Sequence, residues 1–414
     1  MKNITILLLI LAASKFAIAE LSEDALGKSK GYPSCNSWLG TKDECKVGTF
    51  SNPFANKDHF IISKVTSSPN PKTLKKVEFE KQNEINKKLN IERYLSKQRA
   101  TSLMIINNNE IIVEKYQYDR TAEMQLKSFS MAKSITSILI GIAFDKGYIN
   151  SLDDKAELYI PEIIGTAYGE TTIRNFLRMS SGIEINDGNE NYGTRIGDLD
   201  KFYGTLSFKP NGKYAIATNA KLFNKRRYKQ GEKFYYSSAD TEFLARIVVR
   251  ATKKSMTQLT QEWLWNPIGA EDSAYWLVSK SDNVEFGSGG FYATLRDYAK
   301  FAMMLANDGL VDGEQIVSKK YLMEATDSDS QPNGFKRGQA QWNFGYGYQF
   351  WILPTKDRTF SLQGIYGQNI FIQPSSKTIM IQTSVYEKEA ADPSWSMQTD
   401  LFKEAIKLFG GNPF

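Results

Sequence analysis

Ser130-Met131-Ala132-Lys133-Ser134-Ile135-Thr136-Ser137 opens the most apolar internal run of the chain, residues 134–144, which ends at Lys146-Gly147. Ile135, Leu139, Ile142 and Ala143 recur at helical spacing, which predicts a buried helix that starts near Ser130 and stops before Gly147. Ser130 and Lys133 then stand at positions i and i+3, one turn apart on one face, so the lysine amine can approach the serine hydroxyl. Serine is a weak nucleophile at its own pKa and needs an adjacent base. A lysine serves when burial and neighbouring charge depress its pKa. A helix start also offers backbone N–H groups and a positive dipole end to a developing oxyanion. By spacing alone, Ser-x-x-Lys equally fits an N-cap serine followed by a solvated lysine. The rest of the chain decides between the two.

The 414 residues are 41% hydrophobic and 13% aromatic, which excludes a disordered chain. A formal charge of +6 is small for this length and gives no reason to expect a nucleic-acid partner. His59 is the single histidine. A His-dependent metal cluster is thereby excluded, and no metal or cofactor is expected. His59 lies in an irregular stretch and reads as structural. No Gly-x-Ser-x-Gly elbow occurs, and neither cysteine looks like an activated thiol. For a nucleophilic hydrolase, Ser130 with Lys133 is the available pair.

The N-terminus reads as a secretory leader over residues 1–19: Lys2, the apolar run Ile4 to Ala13, and Ala17-Ile18-Ala19 before the cut. The run is too short to span a bilayer and Lys15 interrupts it, so an exported protein, periplasmic or secreted, without stable membrane insertion is expected. Cys35 and Cys45 are the two cysteines, and in an oxidising compartment two such neighbours pair. The loop they close is short, so the bridge braces its own segment and adds little to global stability.

Residues 20–94 read as an N-terminal extension, irregular over 20–75 and a solvated, mixed-charge helix over 76–99. The domain proper runs over 95–414. It opens with a hairpin, Thr101 to Ile106 and Ile111 to Tyr118 around Asn107-Asn108-Asn109. Helical patterns follow near 171–180, 240–252, 256–265 and 294–307, then strand-like runs at 344–353, 369–373 and 378–384, and an amphipathic helix at 394–409. The fold class expected is α+β, an antiparallel sheet sandwiched by helices with a helical insert lobe.

Several ordered motifs now point one way. Gly147-Tyr148-Ile149 with Asp153, Tyr159-Ile160-Pro161-Glu162, Thr172 to Leu177, Met179-Ser180-Ser181-Gly182, Gly289-Gly290-Phe291-Tyr292-Ala293-Thr294 with Asp297, and Gly345-Tyr346-Gly347-Tyr348 follow the Ser130 helix in sequence. With that helix, the chain resembles the serine β-lactamase and DD-peptidase superfamily, in its class C-like branch of esterases and 6-aminohexanoate-dimer hydrolases, over roughly residues 95–410.

The resemblance implies a second catalytic element at Phe234-Tyr235-Tyr236-Ser237-Ser238. The family pattern Tyr-x-Ser fits both Tyr235 and Tyr236. Gly231-x-x-Phe234 and the helix that follows put Tyr236 in register, for proton transfer with Lys133, and Ser238 in a supporting hydrogen bond. A phenol beside an ammonium can relay a proton. A strand tyrosine packed in a core is the plain alternative. In the third element, where many relatives carry Lys-Thr-Gly or His-Thr-Gly, this chain reads Leu362-Gln363-Gly364 and continues Ile365-Tyr366-Gly367. The missing cation weakens recognition of a β-lactam or D-Ala carboxylate. Gly364 still allows close backbone approach, and the implied oxyanion hole is the N–H pair of Ser130 and Ile365. Gln363, Gly364, Tyr366 and, after the Ser180 turn, Tyr192 and Asp187 are candidate substrate contacts. The basic cluster Lys221, Lys225, Arg226, Arg227, Lys229 and Lys233 reads as a solvated loop, or else as an attractor of anionic substrate. Loops 183–230 and 325–343 are expected to shape the pocket.

The expectation is therefore an exported serine hydrolase that cleaves small esters or linear amides through an acyl-enzyme on Ser130. The alternatives are a penicillin-binding DD-peptidase or β-lactamase, and a non-catalytic relative that binds a peptide or envelope polymer. Oligomeric state is left open.

Overall fold

The computed structural model describes residues 22–36, 42–185, 197–206, 215–390 and 392–414. Its centre is an eight-stranded sheet in the order Gly345–Tyr346, Trp351–Ile352, Phe360–Gly364, Gln368–Gln373, Thr378–Ser384, Ala100–Asn107, Glu110–Tyr116 and Lys75–Lys76. Neighbours run antiparallel, except that Lys75–Lys76 lies parallel to Glu110–Tyr116. The predicted hairpin is the Ala100–Asn107 and Glu110–Tyr116 pair. Its two-residue loop is Asn108-Asn109, both at positive φ (50° and 66°), as the twist of a tight hairpin requires.

Alternation along the strands assigns the two faces. Leu103, Ile105, Phe371 and Met380 point to one core, covered by helices Phe79–Lys88, Ile91–Leu95 and Ser394–Leu408. Met104, Ile106, Ile370, Ile372, Ile379 and Ile381 point to the larger core, with helices Leu295–Ala306 and Ala132–Asp145. Each such side chain, once buried, contributes about 1.5–3 kcal/mol relative to exposure, and a one-residue register slip would reverse every one of them. The α+β layering is as expected from the sequence.

The helix Ala132–Asp145 runs through the larger core and is buried from Ala132 to Ala143. Its polar residues are satisfied in place: Ser134 donates to the Gln349 carbonyl (2.6 Å), Thr136 to that of Gly287 (2.9 Å), and Ser137 to that of Tyr348 (2.7 Å). Such bonds let a polar-studded helix be buried, because a lone buried hydroxyl costs about 1–3 kcal/mol. The insert lobe packs on this helix through Ser238–Thr252, against which Ile173–Leu177 packs in turn.

The structure differs from the sequence reading at three places. The segment read as irregular contains a helix, Asp43–Phe50, and a strand, Ile61–Val65. That strand pairs antiparallel with Ala274–Val278 in a second, four-stranded sheet completed by Phe291–Ala293 and Leu126–Lys127. Its partner lies more than two hundred residues further along the chain, so no local period announces it. The mixed-charge helix breaks at Asn90 (φ 50°) into Phe79–Lys88 and Ile91–Leu95, and Ile85, Ile91 and Leu95 are buried rather than solvated. The run 344–353 is two short strands joined through Gln349 (φ 64°). There, the Gln349 side chain donates to the Phe176 and Leu177 carbonyls and accepts from Thr241, tying the bend to the insert lobe.

A disulfide joins Cys35 and Cys45. Among the described residues, no helix is long and apolar enough to cross a membrane. The residues read as a leader lie outside those described.

Candidate active site

Ser130 sits in a short 3-10 turn, Phe129–Met131, that runs directly into the helix Ala132–Asp145, and Lys133 is on the first turn of that helix. The Lys133 Nζ donates to Ser130 Oγ at 2.9 Å and to the Ser288 carbonyl at 2.9 Å. Lys133 is 2% exposed, so these contacts aim it rather than leave it to solvent. Ser288 is itself fixed. Its N–H donates to Glu242 Oε1 (3.0 Å), and its hydroxyl bonds that of Tyr203 (2.9 Å). Glu242 in turn accepts from Arg246 (2.6 Å), which also grips Asp282 through two nitrogens. Burial disfavours the Arg246 charge, but Asp282 and Glu242 outweigh it and hold the guanidinium above its ordinary pKa. A buried ion cluster thus orients the carbonyl that orients the lysine. In its neutral form such an amine can take the serine proton.

The turn that presents Ser130 is bent by Phe129, whose φ is 45°. A non-glycine residue there costs about 1–3 kcal/mol and persists only where its surroundings over-determine it. The Phe129 ring meets Phe50 edge-on (centroids 4.7 Å) and Tyr366 (5.6 Å), and the Lys127 ammonium lies 4.7 Å over it. Phe50 closes the helix Asp43–Phe50, so the N-terminal extension braces the serine turn.

Of the two candidate tyrosines, Tyr236 stands in the cavity beside Ser130. Lys133 Nζ lies 5.1 Å from its ring centroid, and the ring stacks on Trp351 at 5.9 Å. Tyr235 turns away and donates its hydroxyl to the Ile185 carbonyl (2.9 Å). Alternation along an extended segment separates the two. Ser238 opens the helix Ser238–Thr252 and is buried. The turn before it is held to this helix by Ser181, which donates to Asp240 (2.7 Å).

The strand Phe360–Gly364 brings Gln363, Gly364 and Ile365 to the same cavity. Gly364 presses against the serine turn: a Cβ there would lie 2.4 Å from the Ser128 carbonyl oxygen and 3.1 Å from the Ser130 nitrogen. Only glycine fits. Leu362 is buried in the larger core. Tyr366 does not reach the cavity. At φ 61° it turns its ring into the cluster of Phe50 and Phe129, and its hydroxyl donates to Glu389 Oε1 at 2.9 Å. Tyr192 and Asp187 lie outside the described residues. Two members of the basic cluster are engaged away from the cavity: Lys225 pairs with Glu184 (2.9 Å), and Arg226 donates to the Ser181 and Ala167 carbonyls.

The cavity has a volume of about 520 Å³ and is lined by Ser130, Tyr236, Gln363, Gly364, Ile365 and an aromatic wall that includes Trp342, Trp351 and Trp395, with Glu389 at one side. The sequence alone does not single out Ser288, Glu242, the tryptophans or Glu389. Ser288 alone had a signal, as the residue before the noted Gly289-Gly290 turn. Among the described residues, no group of three or more His, Cys, Asp or Glu is placed to hold a metal ion.

The beta-lactamase family profile matches residues 90–393. The 6-aminohexanoate-dimer hydrolase of Paenarthrobacter ureafaciens is 24% identical over 305 residues, covering 71% of this chain and 74% of that protein. A candidate 6-aminohexanoate-dimer hydrolase structure from Bacillus anthracis superposes with a TM-score of 0.72 at 21% identity, covering 91% of this chain and 99% of the other. A penicillin-binding protein homologue from Caulobacter crescentus gives 0.60 at 16% identity, covering 81% and 100%. These structural likenesses carry the fold. Ordered motifs, layered sheet and family profile converge: the chain belongs to the beta-lactamase family, hydrolases of the serine β-lactamase and DD-peptidase superfamily.

Proposed function

We propose that the protein is an exported serine hydrolase that cleaves small esters or linear amides through an acyl-enzyme on Ser130. One observation carries this reading: in a cavity large enough for a small substrate, a buried lysine amine stands 2.9 Å from the serine hydroxyl. In the proposed reaction, Ser130 Oγ attacks the substrate carbonyl and its proton passes to neutral Lys133. The N–H groups of Ser130 and Ile365 receive the oxyanion. Lys133 and Tyr236 return the proton to the departing alcohol or amine, and water then releases the acid and regenerates Ser130. Ser238 and Gln363 support the site, and Gly364 admits the close approach of strand to serine turn.

The nearest named activity is that of the 6-aminohexanoate-dimer hydrolases. Leu362, buried and uncharged, offers no cation to a penicillin carboxylate, which favours the esterase or amidase reading over a DD-peptidase. The disulfide and the leader-like residues 1–19 support export.

Fluorophosphonate treatment of the mature protein, followed by peptide mass mapping, is expected to place a single adduct on Ser130, and Ser130→Ala is expected to abolish ester turnover in a folded protein. Equal rates in both proteins would sink the assignment. Labelling by a fluorescent penicillin would favour the DD-peptidase alternative. Unchanged ligand binding by Ser130→Ala, with no turnover in either protein, would favour a non-catalytic binder.

A further inference from the structure

Met179 opens the Met179-Ser180-Ser181-Gly182 turn just after the helix Ile173–Leu177, is fully buried, and holds a left-handed backbone (φ 53°). A residue with a side chain keeps that conformation only where its surroundings over-determine it. Here the turn is pinned on both sides. The Met179 N–H donates to the Phe176 carbonyl (3.1 Å), the Ser180 N–H to the Asn175 carbonyl (2.8 Å), and the Gly231 N–H to the Ser180 carbonyl (2.8 Å).

The bend turns two acceptors of one residue towards one stretch of chain. The Tyr235 N–H donates to the Met179 carbonyl at 2.8 Å, and the Ser237 N–H donates to the Met179 sulfur at 3.2 Å. Ser237 is extended (φ −146°, ψ 111°). In extended chain the N–H groups of residues i and i+2 point the same way, so a single residue can take both and fix the one between. The residue between is Tyr236, and the Met179 side chain shares a buried cluster with it, Tyr346 and Trp351. Leucine would fill similar space but offers no acceptor, and a buried N–H without a partner is costly.

We propose that Met179 is a positioning residue for proton transfer: its carbonyl and its sulfur clamp the backbone on either side of Tyr236 and hold the phenol where the leaving group departs. This rests on the reading of Tyr236 as proton donor. In that step the bond from acyl carbon to leaving oxygen breaks and the electron pair stays on the oxygen. The Tyr236 hydroxyl supplies the proton, and the Lys133 ammonium, formed with the Ser130 proton, replaces it. A p-nitrophenolate departs without a proton, whereas an alkoxide needs one, so a loosened clamp is felt by alkyl esters first.

The test measures kcat/KM, which reports acylation, on ethyl butyrate and p-nitrophenyl butyrate, well below each melting temperature. The proteins are the native one, Met179→Leu, Met179→Gly and Tyr236→Phe. Met179→Gly suits a φ of 53° and lacks the sulfur, so it replaces the leucine variant should that one not fold. Each Met179 variant is expected to lose about tenfold on the ethyl ester and less than about twofold on the p-nitrophenyl ester, with Tyr236→Phe showing the same preference more strongly. Equal losses on both esters, or none, in the Met179 variants would overturn the proposal and leave Met179 a role in the fold alone. A preference in Tyr236→Phe without one in the Met179 variants would overturn the clamp and keep Tyr236 as donor. No preference in Tyr236→Phe would remove Tyr236 as donor and the proposal with it.

Discussion

Gly364 lies against Ser130, so close that a single added methyl would stand 3.1 Å from the Ser130 nitrogen and 2.4 Å from the Ser128 carbonyl oxygen. Both contacts are to backbone, which cannot swing aside as a side chain can. The strand end and the serine turn are therefore one rigid unit. The two N–H groups assigned to the oxyanion, from Ser130 and Ile365, keep their separation through this contact.

Gly364→Ala is accordingly expected to push strand and turn apart. We expect kcat on a p-nitrophenyl ester to fall by about 10²-fold or more, the loss typical of one displaced oxyanion donor. Overpacking should cost about 1–3 kcal/mol in urea unfolding. A variant with wild-type kcat would show that the contact does not govern the oxyanion site.

The tyrosines give a sharper contrast. Tyr236→Phe and Lys133→Met should each lower kcat by about 10²–10⁴-fold, the range for lost proton transfer. Tyr235→Phe removes a hydroxyl that points away from the cavity to the Ile185 carbonyl and should stay near wild type. Initial rates of the three variants, with circular dichroism to check folding, test the assignment. A reversed order of Tyr235 and Tyr236 would contradict it.

Phe50 links the N-terminal extension to the strained Phe129. Phe50→Ala should cost about 3–5 kcal/mol as a cavity in a buried aromatic cluster. It should also lower kcat well below the melting temperature, because the left-handed Phe129 loses its support. Ile85→Ala, in the core on the other face of the sheet, is the control. It should lose about 2–5 kcal/mol with kcat nearly unchanged. Parallel losses of activity in both would indicate general destabilisation.

Acid should loosen the sheet edge at Glu114. Burial raises the carboxyl pKa, but Arg296 at 2.7 Å and Lys76 at 2.7 Å outweigh it and hold it below the ordinary value. A carboxyl depressed in the folded state binds its proton more readily when unfolded. Its stabilisation is full above the unfolded pKa of about 4.3 and is lost as pH falls through the lower folded value. Melting temperatures from pH 7 to pH 3 should fall, and Glu114→Gln should be less stable at pH 7 yet decline less below pH 4.5. An identical pH profile in the variant would rule the linkage out.

Local patterns announce much of the candidate site and of the sheet, because each is a short-range device. Ser130 and Lys133 share a helix face, the Asn108-Asn109 turn closes its own hairpin, and Gly364 announces a close approach by lacking a side chain. Strand alternation at 100–107 and 378–384 likewise contains its own face assignment, since successive residues must point to opposite sides. What tertiary structure alone decided are the long-range pairings. Ile61–Val65 becomes a strand only beside Ala274–Val278, and Phe129 keeps its strained bend only against Phe50 and Tyr366. Lys133 is aimed by a carbonyl whose orientation comes from Glu242 and Arg246. The chemistry of the cavity belongs to the same class. Trp342 and Trp351 come from one segment and Glu389 and Trp395 from another, and no local spacing encodes the meeting of the two, because their energies are realised only once the sheet and its covering helices have closed around them.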